Sequence, residues 1–193
     1  MMPLTANMPK HLLHVAGKPL VFHTLEALRD AGIKETLMII GYRREELKEG
    51  IDSVDWSPMS ISYVEQKKRR GTAHAAGHAR EFAGDEHLIV MNGDILMGPD
   101  AFQGLIQHHR KGGYELTLTV FPIDDPSPYG VVAVKDGQAT ALIEKPSKEQ
   151  MVSNLVNVGM YAAGPSLWES IENTELSPRD EYEITDSIMM LIK

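Results

Sequence analysis

The sequence predicts an α/β fold in which helices cover both faces of a mostly parallel, mixed sheet that carries a small antiparallel extension. In the first half of the chain, short β-branched or apolar runs alternate with longer helical patterns, and this alternation is typical of parallel βαβ units. In the second half, strand patterns follow one another with mainly turn residues between them, which is typical of antiparallel hairpins.

The first half contains strand and helix patterns in alternation. The strands are predicted at residues 36–40, 61–64 and 88–91, and the helices at 20–31, 72–82 and 100–111. Apolar residues recur near one face of the first helix, as expected for a helix that packs on a sheet. Gly32 is a natural stop for that helix, because glycine accepts the left-handed conformation that often follows a helix end.

The second half is predicted to contain strands and a closing helix. The strands are predicted at residues 116–121, 131–134, 140–143 and 155–161, and the helix at about 183–193. Asp136-Gly137 is a strong signal for a tight hairpin. Since no internal repeat or interdomain linker interrupts the chain, we expect residues 1–193 to form a single domain.

Composition limits the partners and the location. The formal net charge of −8 argues against a general nucleic-acid binder, which needs a basic face, although a local basic pocket can still hold a small anion. The chain has no cysteine, which excludes disulfides and zinc–thiolate sites and fits a cytoplasmic protein. No apolar run reaches the length that crosses a bilayer. We therefore expect a cytoplasmic protein without a membrane or nucleic-acid partner.

The fold class also indicates where a ligand binds. In open α/β sheets, ligands bind beyond the carboxyl ends of the strands. In this sequence the rule selects three loops, at residues 66–72, 92–94 and 129–130.

Asp94 and Lys10 are candidate phosphate-handling residues. Asp94 ends the Asn-Gly-Asp segment that follows an apolar strand, where a carboxylate can hold Mg²⁺ against phosphate oxygens. Lys10 follows a proline and could neutralise a phosphate. Each residue also has an ordinary interpretation, since such a segment can be a simple turn and most lysines are solvated on the surface.

The loop from Gln66 to Ala73 joins a strand to a helix. Gly71 and Thr72 would expose backbone N–H groups at the helix entrance, where anions or base edges can bind. The Gln66 amide can both donate to and accept from a base edge. The basic run 67–70 either attracts a triphosphate or is a solvated loop tip, and nucleic-acid binding is disfavoured because no aromatic residues interleave with it.

Histidine pairs suggest two further interpretations. His74 and His78 have the spacing of one helix face, but zinc would need another ligand and the glutamate of the H-E-x-x-H motif is missing, so a metallohydrolase is disfavoured. His108 and His109 lie near a predicted helix end, where positive charge is favourable.

Several short motifs resemble the sugar-phosphate nucleotidyltransferase family, which includes enzymes that transfer thymidylyl, uridylyl or guanylyl groups to hexose 1-phosphates. The segments that carry the resemblance are, in order, PLTANMPKHLLHVAGKPLVFHTLEALRDAGI, EQKKRRGTAHA, VMNGD, PSPYGVV, IEKP, NVGMY and EYEITD. Each is weak alone, but together they follow the family's order over nearly the whole chain. The resemblance implies a Rossmann-like nucleotidyltransferase fold.

The resemblance also implies roles for the phosphate and base sites. Lys10 matches a lysine that contacts phosphate, and Asp94 resembles the carboxylate that binds catalytic Mg²⁺. Gln66 and Gly71 match the positions that recognise the base, with Thr72 beside them. The implied substrates are a nucleoside triphosphate and a sugar 1-phosphate, and the implied products are a nucleotide-sugar and pyrophosphate.

Further matches imply a sugar site. Gly130, Glu144 and Asn157 match positions that hold sugar hydroxyls, and Thr185 resembles a threonine near the sugar phosphate. The segment Glu65-Gln66 with Gly71-Thr72 leans slightly towards the uridylyl and thymidylyl members of the family.

Two parts of the family pattern are not matched in this sequence. The family's glycine-rich G-x-G-T-R-x-x-P loop would precede Met1, and its second metal-binding position would follow Lys193, so we expect the domain to be truncated at both ends. Homo-oligomerisation, rearrangement and truncation remain open explanations of the gap. We expect weak or absent turnover from the 193-residue chain. The alternative function is a non-catalytic module that binds sugar nucleotides or has a regulatory role.

Overall fold

The computed structural model describes residues 8–192, which fall into two compact units. The first unit extends to Arg69 and includes Asn92–Gln107, and the second comprises Arg70–Met91 and the chain from His108 onwards. Residues 1–7, in which the resemblance begins, and Lys193, the last residue of the predicted closing helix, lie outside the described residues. The prediction of one domain over residues 1–193 remains a prediction.

The first unit contains a short hairpin followed by alternating helices and strands. Its elements are β1 (His14–Val15), β2 (Lys18–Pro19), α1 (Leu20–Asp30), β3 (Glu35–Ile40), α2 (Arg44–Asp52) and β4 (Ser60–Glu65). A single 3₁₀ turn, Lys10–Leu12, precedes the hairpin.

Helix α1 forms where its apolar spacing predicts it. Its buried side chains include Val21, Leu25 and Leu28, which recur at helical spacing and give the helix one apolar face. Gly32 takes φ +94°, and the N–H of Ile33 donates to the carbonyl of Leu28 over 3.1 Å. The helix therefore ends with the glycine-dependent turn that the sequence predicts.

Strands β3 and β4 pair in parallel, with Glu35 opposite Ser60 and Ile40 opposite Glu65. This pairing confirms the parallel βαβ prediction for this part of the chain. Helix α2, which connects the two strands, is absent from the sequence prediction. Its buried residues are only Leu47 and Ile51, four positions apart, so the apolar signal is weak against a strongly charged background.

Helix α5 begins in the first unit and ends in the second. The second unit contains the larger sheet. Its elements are α3 (Thr72–Gly77), α4 (Arg80–Ala83), β5 (Leu88–Met91), α5 (Pro99–Gly112), β6 (Leu116–Pro122), β7 (Gly130–Lys135), β8 (Gln138–Glu144), β9 (Leu155–Ala163), α6 (Ser166–Glu172) and α7 (Ile184–Ile192).

Strand β9 organises the five-stranded sheet. It pairs antiparallel with β5, β6 and β7, and β7 also pairs antiparallel with β8. Because β5 and β6 are both antiparallel to β9, they run in the same direction, as the alternation of β5, α5 and β6 predicts. The mixed α/β fold is thus confirmed, and β9 lies between two strands that share a direction.

The turn between β7 and β8 confirms the hairpin signal. Asp136 and Gly137 both take positive φ, 52° and 78°, and Lys135 pairs with Gln138 across them. Positive φ at both central residues is the geometry that favours Asp-Gly in two-residue hairpins.

In residues 8–192, no helix is both long and apolar enough to span a bilayer.

The helix predicted over residues 72–82 is wrong as a continuous element, because the structure divides it into α3 and α4. At the break, His78 donates its backbone N–H to Ala75 over 3.0 Å, and Ala79 donates to Ala76 over 2.9 Å. These bonds reach back three residues instead of four, which tightens the chain into a turn. Gly77 contributes, since glycine disfavours a helix interior.

The interpretation of His109 as a favourable charge at a helix end is also wrong. His109 is buried, its Nε2 lies 2.8 Å from Nδ1 of His87, and its Nδ1 lies 2.9 Å from Oγ1 of Thr117. Burial, followed by the nearby His87, lowers the pKa of His109. The ring is therefore held in its neutral form, while its neighbour His108 is exposed.

Candidate active site

Lys10 and Asp94 form an ion pair in the first unit. Nζ of Lys10 lies 2.5 Å from Oδ2 of Asp94, although 84 residues separate them in the chain. The two side chains retain 43% and 38% of their exposure, so both can still reach a ligand from solvent. The structure thus brings together the two residues expected to handle phosphate.

The backbone around the pair explains how it forms. Lys10 begins the 3₁₀ turn that also contains His11. A Cβ at Gly93 would lie 3.3 Å from Nε2 of His11, so the missing side chain lets the Asn92–Asp94 loop approach the histidine ring closely. Sequence reasoning missed His11, whose only signal is its position next to Lys10.

Lys10 keeps Asp94 ionised. Burial raises the pKa of Asp94, but the hydrogen bond and the positive charge of Lys10 outweigh burial, so the pKa lies below its ordinary value. Burial, followed by the charge of Lys10, lowers the pKa of His11. Ionisation of Asp94 and the neutral form of the His11 imidazole are therefore both favoured in this cluster.

Gln66 follows the last residue of β4, and its backbone N–H donates to the carbonyl of Ile40 over 2.8 Å. The parallel pairing of β3 and β4 thus extends to the residue expected to read the base. The basic run 67–70 is exposed, and the guanidinium of Arg69 lies 5.9 Å from the ring centroid of Tyr42.

Gly71 and Thr72 lie in the second unit against the segment that begins at Tyr182. The N–H of Tyr182 donates to Arg70, the N–H of Ala73 donates to Tyr182, and the N–H of Ile184 donates to Oγ1 of Thr72, all within 2.9 Å. Gly71 takes φ +109°, and a Cβ there would lie 2.6 Å from the backbone nitrogen of Tyr182. Only glycine fits this approach.

These contacts add a detail to the sequence prediction. The N–H of Ala73, which follows the Gly71 and Thr72 groups expected at the entrance of α3, is hydrogen-bonded to Tyr182. Gly71 and Thr72 also form a close junction with the segment that contains Thr185.

Gly130, Glu144 and Asn157 lie together on the larger sheet. Gly130 pairs with Glu144 across β7 and β8, and the neighbouring Val131 pairs with Val156 on β9. A Cβ at Gly130 would lie 2.9 Å from Oε2 of Glu144 and 3.5 Å from Cβ of Asn157. The structure therefore gathers the three residues that were expected to hold sugar hydroxyls.

The amide of Asn157 is oriented from both ends. Oδ1 accepts from the N–H of Gly159 over 3.1 Å, and Nδ2 donates to Oη of Tyr161 over 2.6 Å. Gly159 takes φ +77°, and the pairing of β6 with β9 shifts register in this region. Burial raises the pKa of Tyr161 to about 12, so the phenol remains protonated. Sequence reasoning assigned no role to Tyr161.

Thr185 is buried in the first turn of α7, and its Oγ1 has no hydrogen-bond partner among residues 8–192. The preceding segment contributes Glu183, also buried, which pairs with Arg179. Arg179 in turn reaches Glu144. Arg179 was missed from sequence, where its signal was a lone basic residue in an acidic stretch that continues with Asp180, Glu181 and Glu183.

In the part of the chain that the structure describes, no group of three or more histidine, aspartate or glutamate side chains is placed to hold a metal ion. The rings of His74 and His78 contact each other edge to face with centroids 5.1 Å apart. Within residues 8–192 this pair has no third ligand of that kind.

Comparison with known proteins decides the family. A model of the nucleotidyl transferase family matches residues 1–193. The chain belongs to this family. The resemblance carried by the short motifs is thereby confirmed.

Two nucleotidyltransferases are similar to this chain over 99% of its length. The low-salt glycan biosynthesis nucleotidyltransferase Agl11 of Haloferax volcanii is 35% identical, and the match covers 99% of this chain and 53% of Agl11. The UTP–glucose-1-phosphate uridylyltransferase AglF of the same organism is 31% identical, with 99% and 78% covered. The chain spans about half the length of Agl11.

A solved structure supports the fold. The crystal structure of UDP-glucose pyrophosphorylase complexed with UDP-glucose superposes with a TM-score of 0.87 over 100% of this chain and 81% of that chain. Its sequence identity is 23%. The nucleotidyl transferase fold is thus shared at low identity.

Proposed function

We propose that this nucleotidyl transferase joins a nucleoside triphosphate to a sugar 1-phosphate. An oxygen of the sugar phosphate attacks the α-phosphorus, the bond from that phosphorus to the bridging oxygen of the β-phosphate breaks, and pyrophosphate leaves. The observation that carries the proposal is the ion pair of Lys10 with Asp94, formed across 84 residues of a chain that matches the family throughout.

Such a reaction depends on alignment and charge stabilisation more than on covalent catalysis by the protein. Lys10 supplies a positive charge for the phosphate oxygens, whose charge shifts towards the leaving pyrophosphate. Because that amine is already paired with Asp94, the two side chains hold each other near the orientation that a bound phosphate needs.

Asp94 is the residue proposed to hold a divalent metal ion, for which we favour Mg²⁺. Its carboxylate is held in the ionised form, and Mg²⁺ is commonly bound by one or two carboxylates together with substrate phosphates. The donor set therefore fits the ion. When bound, Mg²⁺ would supply positive charge to the phosphate oxygens.

The remaining residues are proposed to select the two substrates. Gln66, Gly71 and Thr72 would bind the nucleotide, since the Gln66 amide can both donate to and accept from a base edge. The sugar site uses the oriented amide of Asn157 and the carboxylate of Glu144 beside Gly130, with Thr185 near the sugar phosphate.

The base and the location are further parts of the proposal. AglF is named for UTP and glucose 1-phosphate, and the sequence leans towards a uridylyl or thymidylyl transfer. We therefore propose that uridine and thymidine nucleotides are the preferred substrates. The absence of cysteine supports a cytoplasmic location, and a homo-oligomer is compatible with this proposal.

The test combines binding with turnover. Calorimetry measures binding of UDP-glucose, dTDP-glucose and GDP-mannose, and a coupled assay measures Mg²⁺-dependent pyrophosphate release from the matching triphosphate and sugar 1-phosphate. Because we expect only weak turnover from residues 1–193, the assay compares rates as a ratio to the wild-type chain, and we expect Asp94→Ala to lower that residual pyrophosphate release by about 10²-fold or more. The control is Glu26→Ala, since Glu26 forms another half-exposed ion pair, with Lys18, outside the proposed site.

Two results would contradict the proposal. Failure to bind any nucleotide-sugar would reject the whole reaction. Binding without pyrophosphate release, unaffected by Asp94→Ala, would instead favour a non-catalytic sugar-nucleotide-binding module.

A further inference from the structure

The two carboxylate oxygens of Glu144 have different neighbours. An added Cβ at Gly130 would come within 2.9 Å of Oε2. Nη1 of Arg179 is 3.7 Å from Oε1. The absence of a side chain at Gly130 gives the carboxylate its space, and the guanidinium provides the nearest positive charge.

Arg179 is shared among three carboxylates. Its Nη1 lies 3.1 Å from Oε1 of Glu183 and 3.7 Å from Glu144, and its Nη2 lies 3.9 Å from Oε2 of Glu181. A guanidinium offers five N–H donors in a rigid plane, so one contact can fix the direction of the others. The shortest of the three separations is the one to Glu183.

Glu183 differs from the other two carboxylates in burial. Its side chain is 9% exposed, whereas that of Glu144 is 29% exposed and that of Glu181 is 44% exposed. A buried charge needs compensation that an exposed one obtains from water. Oε1 of Glu183 accepts no hydrogen bond among the described residues, so its contact with Arg179 is an ionic one.

The protonation of Glu183 bears on the strength of this contact. Burial raises the pKa of Glu183, and the positive charge of Arg179 opposes that rise. The neighbouring carboxylates of Glu181, Glu144 and Asp186 raise the pKa further. Arg179 is thus the charge on which ionisation of Glu183 depends.

We propose that Glu183 is a positioning residue that holds the guanidinium of Arg179 against Glu144 and so orients the carboxylate that binds the sugar. The inference rests on the proposed function, because it assigns Glu144 to sugar recognition. Glu183 does not contact the ligand in this arrangement. It acts through Arg179, and Glu181, which is exposed and farther away, does not share the role.

The test compares Glu183→Gln with the matched variant Glu181→Gln. Each replaces a carboxyl group near Arg179 with an amide of nearly the same shape. Calorimetry measures the Kd of UDP-glucose and of UDP, or of the thymidine or guanosine pair if the wild-type chain prefers it. We expect Glu183→Gln to weaken UDP-glucose about ten-fold, roughly the loss of one charge-assisted contact, with UDP changed less than about two-fold.

Two further variants separate positioning from a general structural defect. Arg179→Gln changes an exposed side chain, so it keeps the inference testable if Glu183→Gln does not fold. We expect it to reproduce the selective loss of UDP-glucose binding. The double variant, with Glu183→Gln and Arg179→Gln together, should bind UDP-glucose no more weakly than either single variant, because the effects of residues that act through one another are not additive.

The outcomes are distinguishable from those that test the proposed function. If the wild-type chain binds UDP-glucose and Glu183→Gln binds it equally well, the positioning role is wrong and the proposed function stands. The same conclusion follows if Glu183→Gln weakens the binding of UDP as much as the binding of UDP-glucose. An equal effect of Glu181→Gln would also overturn it. If the wild-type chain binds no nucleotide-sugar, both proposals fail.

Discussion

The two groups of candidate site residues are built in opposite ways. Lys10 and Asp94 lie on a 3₁₀ turn and a loop of the first unit, are about 40% exposed, and are joined by one contact. Gly130, Glu144 and Asn157 lie on paired strands of the second unit. The exposed charged pair can therefore exchange its partner for a ligand, whereas the polar residues on the strands are oriented before a ligand binds.

The largest expected effect is a loss of activity at Lys10, a residue that should contribute little to stability. Lys10→Ala should lower pyrophosphate release by about 10²-fold or more relative to the weak release expected of the wild-type chain, because it removes a charge that would act on the phosphates. The free energy of unfolding should change by less than about 1 kcal/mol, since exposed ion pairs contribute little to stability. Urea titration and the pyrophosphate assay measure the two quantities. A loss of several kcal/mol would show that the pair is structural.

Asn157→Ala should affect both binding and stability. The variant leaves the N–H of Gly159 and the hydroxyl of Tyr161 without the amide, and each lost hydrogen bond costs about 0.5–1.5 kcal/mol. We expect about ten-fold weaker UDP-glucose binding and a lower urea midpoint. Tyr63→Phe is the control, because it removes another hydroxyl contact, with Asp52, in the first unit. Unchanged binding of UDP-glucose would contradict the assigned role.

Gly130→Ala tests the sugar surface with a smaller change. The new Cβ would press on the Glu144 carboxylate, which can rotate away, so we expect UDP-glucose binding to weaken by about three- to ten-fold with little loss of stability. Gly104→Ala serves as control, since a Cβ there meets nothing within 4 Å. If Gly130→Ala weakens UDP as strongly as UDP-glucose, the surface does not recognise the sugar.

The smallest effect concerns pH and the buried ring of His109. Its pKa is lowered in the folded chain, by burial first, so its stabilising contribution is complete above the unfolded pKa of about 6.5 and is lost as the pH falls towards the folded pKa. The surrounding charges are those of His87, Glu115 and His108. Urea unfolding between pH 7 and pH 5 measures the loss.

The pH effect has a neighbouring control. His109→Gln should make the fall in unfolding free energy shallower, whereas His108→Gln, at an exposed position, should leave the slope as in the wild type. Identical slopes for all three chains would rule out His109 as the source.

The sequence predicted local features well because their causes are local. Gly32 ends α1 and Asp136-Gly137 forms the hairpin as expected, since both depend on backbone conformations that their own residues favour. The position of β9 between β5 and β6 could not be predicted, because it depends on pairing between residues far apart in the chain. The break between α3 and α4 was not predicted, because it consists of a local change in hydrogen bonding at His78 and Ala79.

The candidate site was predictable as a set of residues but not as a set of contacts. The family motifs indicated Lys10 and Asp94 separately, yet nothing in either segment specifies their ion pair. Arg179 and Glu183 were missed as a pair because the importance of Glu183 comes from its burial, which residue type does not indicate. The sulfur of Met189 on α7 lies 2.9 Å from the backbone nitrogen of Leu142 on β8, a contact that no sequence pattern indicates.

The junction at Gly71 has a consequence for protein engineering. Residues 70–73 and residues 182–184 are joined by hydrogen bonds, and their close approach leaves no room for a Cβ at Gly71. A loop grafted at residues 70–73 to change the preferred base would therefore lose its hydrogen bonds to the segment next to Thr185. Such a loop should be transplanted together with the residues that replace 182–184 in the donor protein.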